Sequence, residues 1–456
     1  MHYFLAVVYA TCIITSSAFA KPFSVGPSSS DVLSASQVCN LERDIDGLKS
    51  WALDNKVQIQ NGLELEENEG GDWSVSLSKN SEEDSPILQI PSHLVLASTK
   101  IKEELKDQVP PSVINFLEQR KVGHQLPQFY LWLKILKEND QGKDSQWYPW
   151  LQSLPRTFTN AIAMDDVEME CLAPFAWSLA KMQKIHLKYF REALEMIEGN
   201  EIMSEATKTD LDITQWAFSV VFTRAWWKDV EDNRTDIVPV GDMFNHDHPD
   251  NVRITYDDEG NCNVVLKKDV PTGTPLNLSY GLQTNPYRFM VLYGFFDAAQ
   301  DSIFSQILVS KPSKKHVDMG YDTDKMAINT TDGTLSEENW DVTLFSILEQ
   351  VPPIQEAFHK AHVANDDVTK KAIRKQFYME TCIMLKKHID KTLMEMDALL
   401  QKIDEQDITQ HPLLPMIRRS NTFVAQTFFK AKKRIDGMIK EEMAERKITE
   451  AKQESS

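Results

Sequence analysis

Pro239-Val240-Gly241-Asp242-Met243-Phe244-Asn245-His246 closes an apolar run that opens at Ile237 and delivers Asp242, Asn245 and His246 into one short, partly buried loop. Hydrogen-bonding side chains in such a place must find partners or hold something. Taken alone, the pattern fits a capped turn around a satisfied histidine as well as it fits a binding loop. His246-Asp247-His248 adds two metal-type donors, but two histidines one residue apart with no third ligand nearby make an incomplete set.

The flanking segments narrow the choice. Downstream, Val252-Arg253-Ile254-Thr255-Tyr256, the turn Asp257 to Gly260 and Asn263-Val264-Val265-Leu266 form a hairpin pattern. A further strand, Leu276 to Tyr280, ends on Tyr280-Gly281 and is followed by Asn285 and by Tyr293-Gly294-Phe295. Upstream, Phe222-Thr223-Arg224-Ala225-Trp226-Trp227 sets one arginine among aromatics at the end of a helical run. That run has helical spacing from Ala97 to about Trp227, for example Phe175, Leu179, Met182 and Ile185. It contains the aromatic, proline-punctuated connector Trp147-Tyr148-Pro149-Trp150-Leu151-Gln152-Ser153-Leu154-Pro155. Before it, Val57 to Pro91 reads as short strands and turns, and Leu41 to Leu53 as a helix with Asn40 as N-cap. From about Trp340 to Ser456 the chain is helical and strongly charged. The order is strands, helical insert, strands, helical tail, an α+β chain.

Composition sets the outer limits. Among 456 residues, 49 Lys and Arg stand against 68 Asp and Glu, giving a net charge of −19, and 42% are hydrophobic. There is ample material for buried cores, and the acidic balance disfavours a nucleic-acid backbone as ligand. Five dispersed cysteines without a C-x-x-C exclude a structural zinc cluster and make a disulfide scaffold improbable.

Residues 1–20 combine an apolar run, Phe4 to Ile14, with an Ala18-Phe19-Ala20 cleavage-type site and read as a signal peptide. Residues 21–40 are Ser-rich with a single acid, as in a transit segment. The junction resembles the bipartite presequence of complex plastids, which predicts the plastid stroma, with the secretory pathway as alternative. No second segment approaches membrane-spanning length, so the mature protein is expected to be soluble, with no membrane association.

Taken in order, Asn245-His246, Tyr280-Gly281 and Tyr293-Gly294-Phe295, with Leu154-Pro155 and Thr223-Arg224 before them, resemble the SET-domain protein methyltransferases. The subgroup is that of the Rubisco large-subunit lysine methyltransferase and the actin-histidine methyltransferase. The ordered motifs run from about Leu48 to Phe296. The resemblance implies a SET-type β-core over residues 41–300 with a helical insert at about 97–235, and an all-helical C-terminal substrate-binding domain with a polar tail over 301–456. It implies an S-adenosylmethionine-dependent protein N-methyltransferase acting on a folded protein, as a monomer and without a metal. The cofactor would lie against Asn245 and His246, with Arg224 near its carboxylate, Asp242 supporting the loop, and Glu69, Trp73 and Phe295 helping to enclose it. Tyr280 would face the methyl group as the catalytic residue, and Trp226, Trp227 and Tyr287 would wall the substrate channel.

Such a channel has a physical rationale. Methyl transfer from a sulfonium needs alignment of nucleophile, methyl and sulfur, and a deprotonated amine. Aromatic walls desolvate an ammonium while tolerating its charge near their faces. Trp226 suits an alkylammonium better than an imidazole, which needs a polar group to fix its tautomer, so lysine is the favoured acceptor and histidine the alternative. The family's Glu-Gly-x-Gly element is altered here: Glu69-Gly70-Gly71-Asp72-Trp73-Ser74 has a serine at the second glycine position, and the turn Asn80 to Ser85 has no glycine. A lost glycine pushes a side chain toward the ligand or strains the turn. The departure admits a second class of function, a SET-like binding module without catalysis. Basic clusters in the tail, such as Lys430 with Lys432-Lys433-Arg434, suit either a solvated face or a dock for the substrate, a plastid protein such as Rubisco if the presequence reading holds.

Overall fold

The computed structural model describes residues 43–60, 62–67, 72–199, 201–229, 233–281, 285–309 and 311–454. Residues 1–42, with both addressing segments, and Glu69 with the two glycines after it lie outside these. The described residues fall into two compact units, 43–158 with 182–281, and 159–181 with 285–454. The β-rich unit therefore ends near residue 281 rather than 300, and the second unit takes residues 159–181 of the insert.

In the first unit a helix spans Ile45–Asp54, starting four residues later than the apolar spacing predicts. The local reason is Asp44, whose side chain accepts from the Gly47 N–H at 2.8 Å and so caps the first turn, a contribution of about 1 kcal/mol. Four antiparallel strands follow the order β1 (Gln58–Ile59), β4 (Pro86–Ile90), β10 (Cys262–Leu266), β9 (Val252–Tyr256). Strict alternation in β10, with Cys262, Val264 and Leu266 fully buried, gives that sheet its apolar face. β2 (Leu63–Glu67) pairs with β3 (Trp73–Leu77), and β5 (Leu96–Ala97) and β6 (Ala225–Asp229) flank β7 (Arg234–Ile237).

The insert between β5 and β6 is helical. Its helix Leu126–Gln141 is buried without a break from Pro127 to Leu136, as expected of a helix surrounded by others. Lys134 is tolerated inside it because Glu104 and Glu138 hold its ammonium at 2.9 and 2.8 Å. Helix Leu211–Arg224 packs beside it, and Trp132 Nε1 donates to the Thr214 carbonyl at 3.0 Å. This helix stops at Arg224, so Trp226 and Trp227 lie on strand β6, not on the helical run the spacing predicts.

The second unit is mainly, not wholly, helical: β12 (Ser302–Phe304) pairs antiparallel with β13 (Ala327–Asn329). Helices Tyr378–Asp404 and Leu414–Glu454 pack along each other through matched stripes. Cys382, Leu385, Ile389, Thr392 and Met396 are buried on one, and Ile417, Asn421, Val424, Phe428, Ala431 and Ile435 on the other. Steps of three and four residues are those of a coiled-coil seam. No helix among the described residues is long and apolar enough to cross a membrane.

Candidate functional site

The loop that opens the sequence argument is strained where it begins. Val240, 3% exposed, has φ 72° and ψ −45°, a conformation that β-branched residues rarely adopt. The surrounding structure enforces it: Gly241–Met243 forms a 3-10 turn, and the Asp242 N–H reaches the Val238 carbonyl at 2.9 Å. The turn drives the Asp242 side chain inward. Its Oδ2 accepts from Trp150 Nε1 at 3.1 Å, and its main-chain carbonyl accepts from Arg224 Nη1 at 2.5 Å. Among the described residues Oδ1 has no hydrogen-bond partner. Burial pushes the Asp242 carboxyl up, while Arg224, the Trp150 hydrogen bond and Arg43 pull it down.

Arg43 completes this cluster. Its Nε donates to the Ser153 carbonyl at 2.6 Å, Nη1 stands 3.5 Å from Asp72, and Nη2 lies 3.5 Å from the Met243 sulfur. Burial, then the proximity of Arg224, lowers its pKa to about 10, against the opposing pull of Asp72, Asp242 and Glu67. Two guanidiniums, Arg43 and Arg224, thus stand beside one interior carboxylate, Asp242, with Asp72 on the exposed side of Arg43.

The second half of the loop is positioned by pairing. β8 (Asn245–His246) runs parallel to β11 (Asn277–Leu278), with Asn245 opposite Asn277 and His246 opposite Leu278. Parallel neighbours need a long crossover, and here the β9–β10 hairpin provides it. Asn251, 5% exposed, fixes the register: its Oδ1 accepts from the Asn277 N–H at 2.7 Å and its Nδ2 donates to the Pro275 carbonyl at 2.8 Å.

This pairing brings Tyr280 back onto the loop. Its hydroxyl donates to the Phe244 carbonyl at 2.7 Å, and its ring lies 5.3 Å from that of His246. His246 Nδ1 stands 3.1 Å from the Tyr280 N–H and 3.3 Å from the Leu278 carbonyl, which ties the imidazole to the start and end of the same turn. Burial pushes the Tyr280 phenol up to about 12 despite Arg224, so it is protonated at neutral pH and acts as a donor, not a base. Asn245 Nδ2 donates to the Trp73 carbonyl at 2.8 Å, tying the start of β3 to the loop. Ser74, at the position where the family has glycine, sits inside β3 opposite Glu66. The glycine-free turn before β4 is made by Asp84 at φ 60°, a left-handed conformation that aspartate tolerates.

The first unit thus brings together Arg224, Asp242, Asn245, His246, Tyr280 and Trp73, and adds Arg43 and Trp150. The other expected residues fall elsewhere or differently. Trp226 and Trp227 are successive on β6, opposite Asp236 and Thr235, and so point to opposite faces. One channel cannot be walled by both. Tyr287 belongs to the second unit, where it is fully buried, receives a hydrogen bond from Gln306 Nε2 at 2.8 Å and packs edge-on to Phe175. It is a core side chain of that unit. Phe295, also in the second unit, stacks on Phe289 with centroids 5.2 Å apart. A π-helical turn, Phe289–Tyr293, leads to it, a rare geometry that recurs at functional sites. Gly294 is required at its end: φ is 83°, and a Cβ would come within 2.4 Å of Thr159 Oγ1.

Comparison with known proteins agrees with this architecture. No family model matches the chain. Two actin-histidine N-methyltransferases, from Mus musculus and Rattus norvegicus, are 23% and 22% identical over 282 and 281 residues. The match takes in 59% of this chain and 45% of each relative, so the chain spans about half the length of these relatives. A crystal structure of the SET domain of LSMT bound to lysine and AdoHcy superposes with a TM-score of 0.59 at 14% identity, covering 88% of this chain and 92% of that one. Rubisco LSMT bound to sinefungin and monomethyllysine gives 0.55 at 16% identity, covering 89% and 93%. The chain has the SET-domain fold of these structures, α+β with a large helical C-terminal region, and it resembles the Rubisco and actin-histidine methyltransferase subgroup.

Proposed function

We propose that this protein is an S-adenosylmethionine-dependent protein N-methyltransferase that modifies a lysine ε-amine of a folded protein. The observation that carries the proposal is the parallel β8–β11 pairing, which gathers Asn245, His246 and Tyr280 against Asp242 and Arg224. The donor set fits the cofactor. Arg224 and Arg43 would complement its carboxylate, the Asp242 Oδ1 without a partner among the described residues would complement its ammonium, and Asn245 and His246 would lie against it. The bound cofactor supplies an electrophilic methyl on sulfonium sulfur. Tyr280, protonated and hydrogen-bonded, orients the acceptor amine, and the aromatic surroundings exclude water and favour its neutral form.

Structures of LSMT hold AdoMet, AdoHcy and lysine, which supports both cofactor and acceptor for this chain. The indole of Trp226 supports lysine further. The name of the actin-histidine relatives favours histidine instead, so the acceptor must be read directly. The presequence supports a plastid protein, such as Rubisco, as substrate for a monomeric enzyme. Incubation of the purified chain with tritiated S-adenosylmethionine and a plastid extract, followed by mass spectrometry of labelled proteins, tests all of this. Methyl-lysine on one or a few proteins supports the proposal, methyl-histidine corrects the acceptor, and no transfer by a protein that binds the cofactor favours the binding-module reading.

A further inference from the structure

Trp226 is held in place by a polar network that the function has not yet used. On β6 it lies directly opposite Asp236 of β7, which is fully buried. Arg234 grips that carboxylate through Nε and Nη2, both at 2.8 Å. From the neighbouring hairpin, Tyr256 reaches the same place: its hydroxyl accepts from Trp226 Nε1 at 3.2 Å. The face of the Tyr256 ring is covered by cations, with Lys228 Nζ 4.3 Å and the Arg234 guanidinium 6.0 Å from its centroid. Hydroxyl and ring are both fixed, and Tyr256 therefore fixes the plane of the indole.

From this arrangement we infer that Tyr256 is a positioning residue for acceptor selectivity: by occupying the indole N–H of Trp226, it presents the ring to the acceptor as a purely apolar wall. The inference rests on the reading of Trp226 as a wall of the acceptor channel. An alkylammonium stem needs only such a face and the ring's quadrupole. An imidazole carries a ring nitrogen that seeks a donor, and with Nε1 consumed Trp226 offers none. Removing the Tyr256 hydroxyl frees the indole N–H and lets the ring rotate, which weakens the preference for lysine and admits histidine.

Two measurements on the full chain test this. In protein labelled with 15N-tryptophan, the indole signal absent from Trp226→Phe belongs to Trp226. Its N–H exchange with solvent should accelerate about fivefold or more in Tyr256→Phe, and unchanged exchange overturns the lock. The same proteins are then given S-adenosylmethionine and two random-flank peptide libraries, one with a central lysine and one with a central histidine. Tyr256→Phe should lower the lysine-to-histidine transfer ratio about fivefold, through KM more than kcat, with S-adenosylhomocysteine affinity unchanged. The same substitution in the Trp226→Phe background should change the ratio no further. A constant ratio, or a shift that persists without Trp226, refutes the positioning role. If the unmodified chain binds no S-adenosylhomocysteine, the methyltransferase reading fails, and the exchange measurement still decides whether the lock exists.

Discussion

Replacing Asn245 by alanine separates cofactor binding from folding more cleanly than any other change in the site. The side chain makes one hydrogen bond among the described residues, Nδ2 to the Trp73 carbonyl at 2.8 Å, in half-buried surroundings. Its loss costs about 1 kcal/mol of stability. The effect on the fold stays local because β3 keeps its pairing with β2 through Trp73 and Glu67, and its bridge to Leu276 through Val75. Binding loses more. The tether between β3 and the loop goes, again about 1 kcal/mol, and under the proposed placement the side-chain oxygen would also lose its contact with the charged cofactor, about 1.5–3 kcal/mol. The sum, about 2.5–4 kcal/mol, is a rise in Kd of roughly 70- to 700-fold. Calorimetric titration with S-adenosylhomocysteine reads the affinity, and urea unfolding reads the stability. A change in Kd below about fivefold would refute the placement of the cofactor, as would a stability loss as large as the binding loss.

Three further outcomes are expected. Tyr280→Phe removes the hydrogen bond to the Phe244 carbonyl; kcat on protein substrate should fall about tenfold or more with little change in S-adenosylhomocysteine affinity, and equal effects on both would contradict an orienting role. His186, 2% exposed, has its pKa lowered to about 3, by burial and then by His124. The folded state holds it neutral while the unfolded chain takes up a proton below about 6.5, so stability falls as pH drops through that window, by about 2 kcal/mol at pH 5. Urea melts at pH 7 and pH 5 should show this slope in the native chain and a shallower one in His186→Phe, where His124, His316 and His388, lowered in the same direction by burial, still contribute. Gly294→Ala meets Thr159 and holds a positive φ, and should destabilise the second unit by about 2–4 kcal/mol in thermal unfolding; a loss under about 1 kcal/mol would mean that the turn adapts.

The sequence makes local order legible and long-range contacts mostly not. Strands Trp73–Leu77 and Val252–Tyr256 have the ends their alternation predicts, although in the first Val75, Ser76 and Leu77 are all buried. Asp242, Asn245, His246 and Tyr280 were legible as a group because polar residues at strand ends need partners, and the order of motifs supplied them. Arg43 was not: it reaches Met243 across 200 residues, and nothing around it in sequence marks it. The two tryptophans illustrate a different limit. Apolar spacing continues through Trp227, but the chain turns extended at Ala225, and a period of two separates side chains that a helical reading keeps together. The burial of Tyr287 in the second unit is not legible either, because a motif neighbourhood carries no information on which compact unit buries a ring. The strained Val240 has no sequence signature, since its conformation is imposed by the turn after it.

The central claim is that the loop at 240–246, with Arg224 and Tyr280, forms a cofactor site. Calorimetric titration of the protein with S-adenosylmethionine and S-adenosylhomocysteine tests it most directly. Saturable one-to-one binding of both is expected, weakened roughly 70-fold or more in Asn245→Ala and also weakened in Arg224→Met. A folded protein that gives no binding heat with either compound would contradict it.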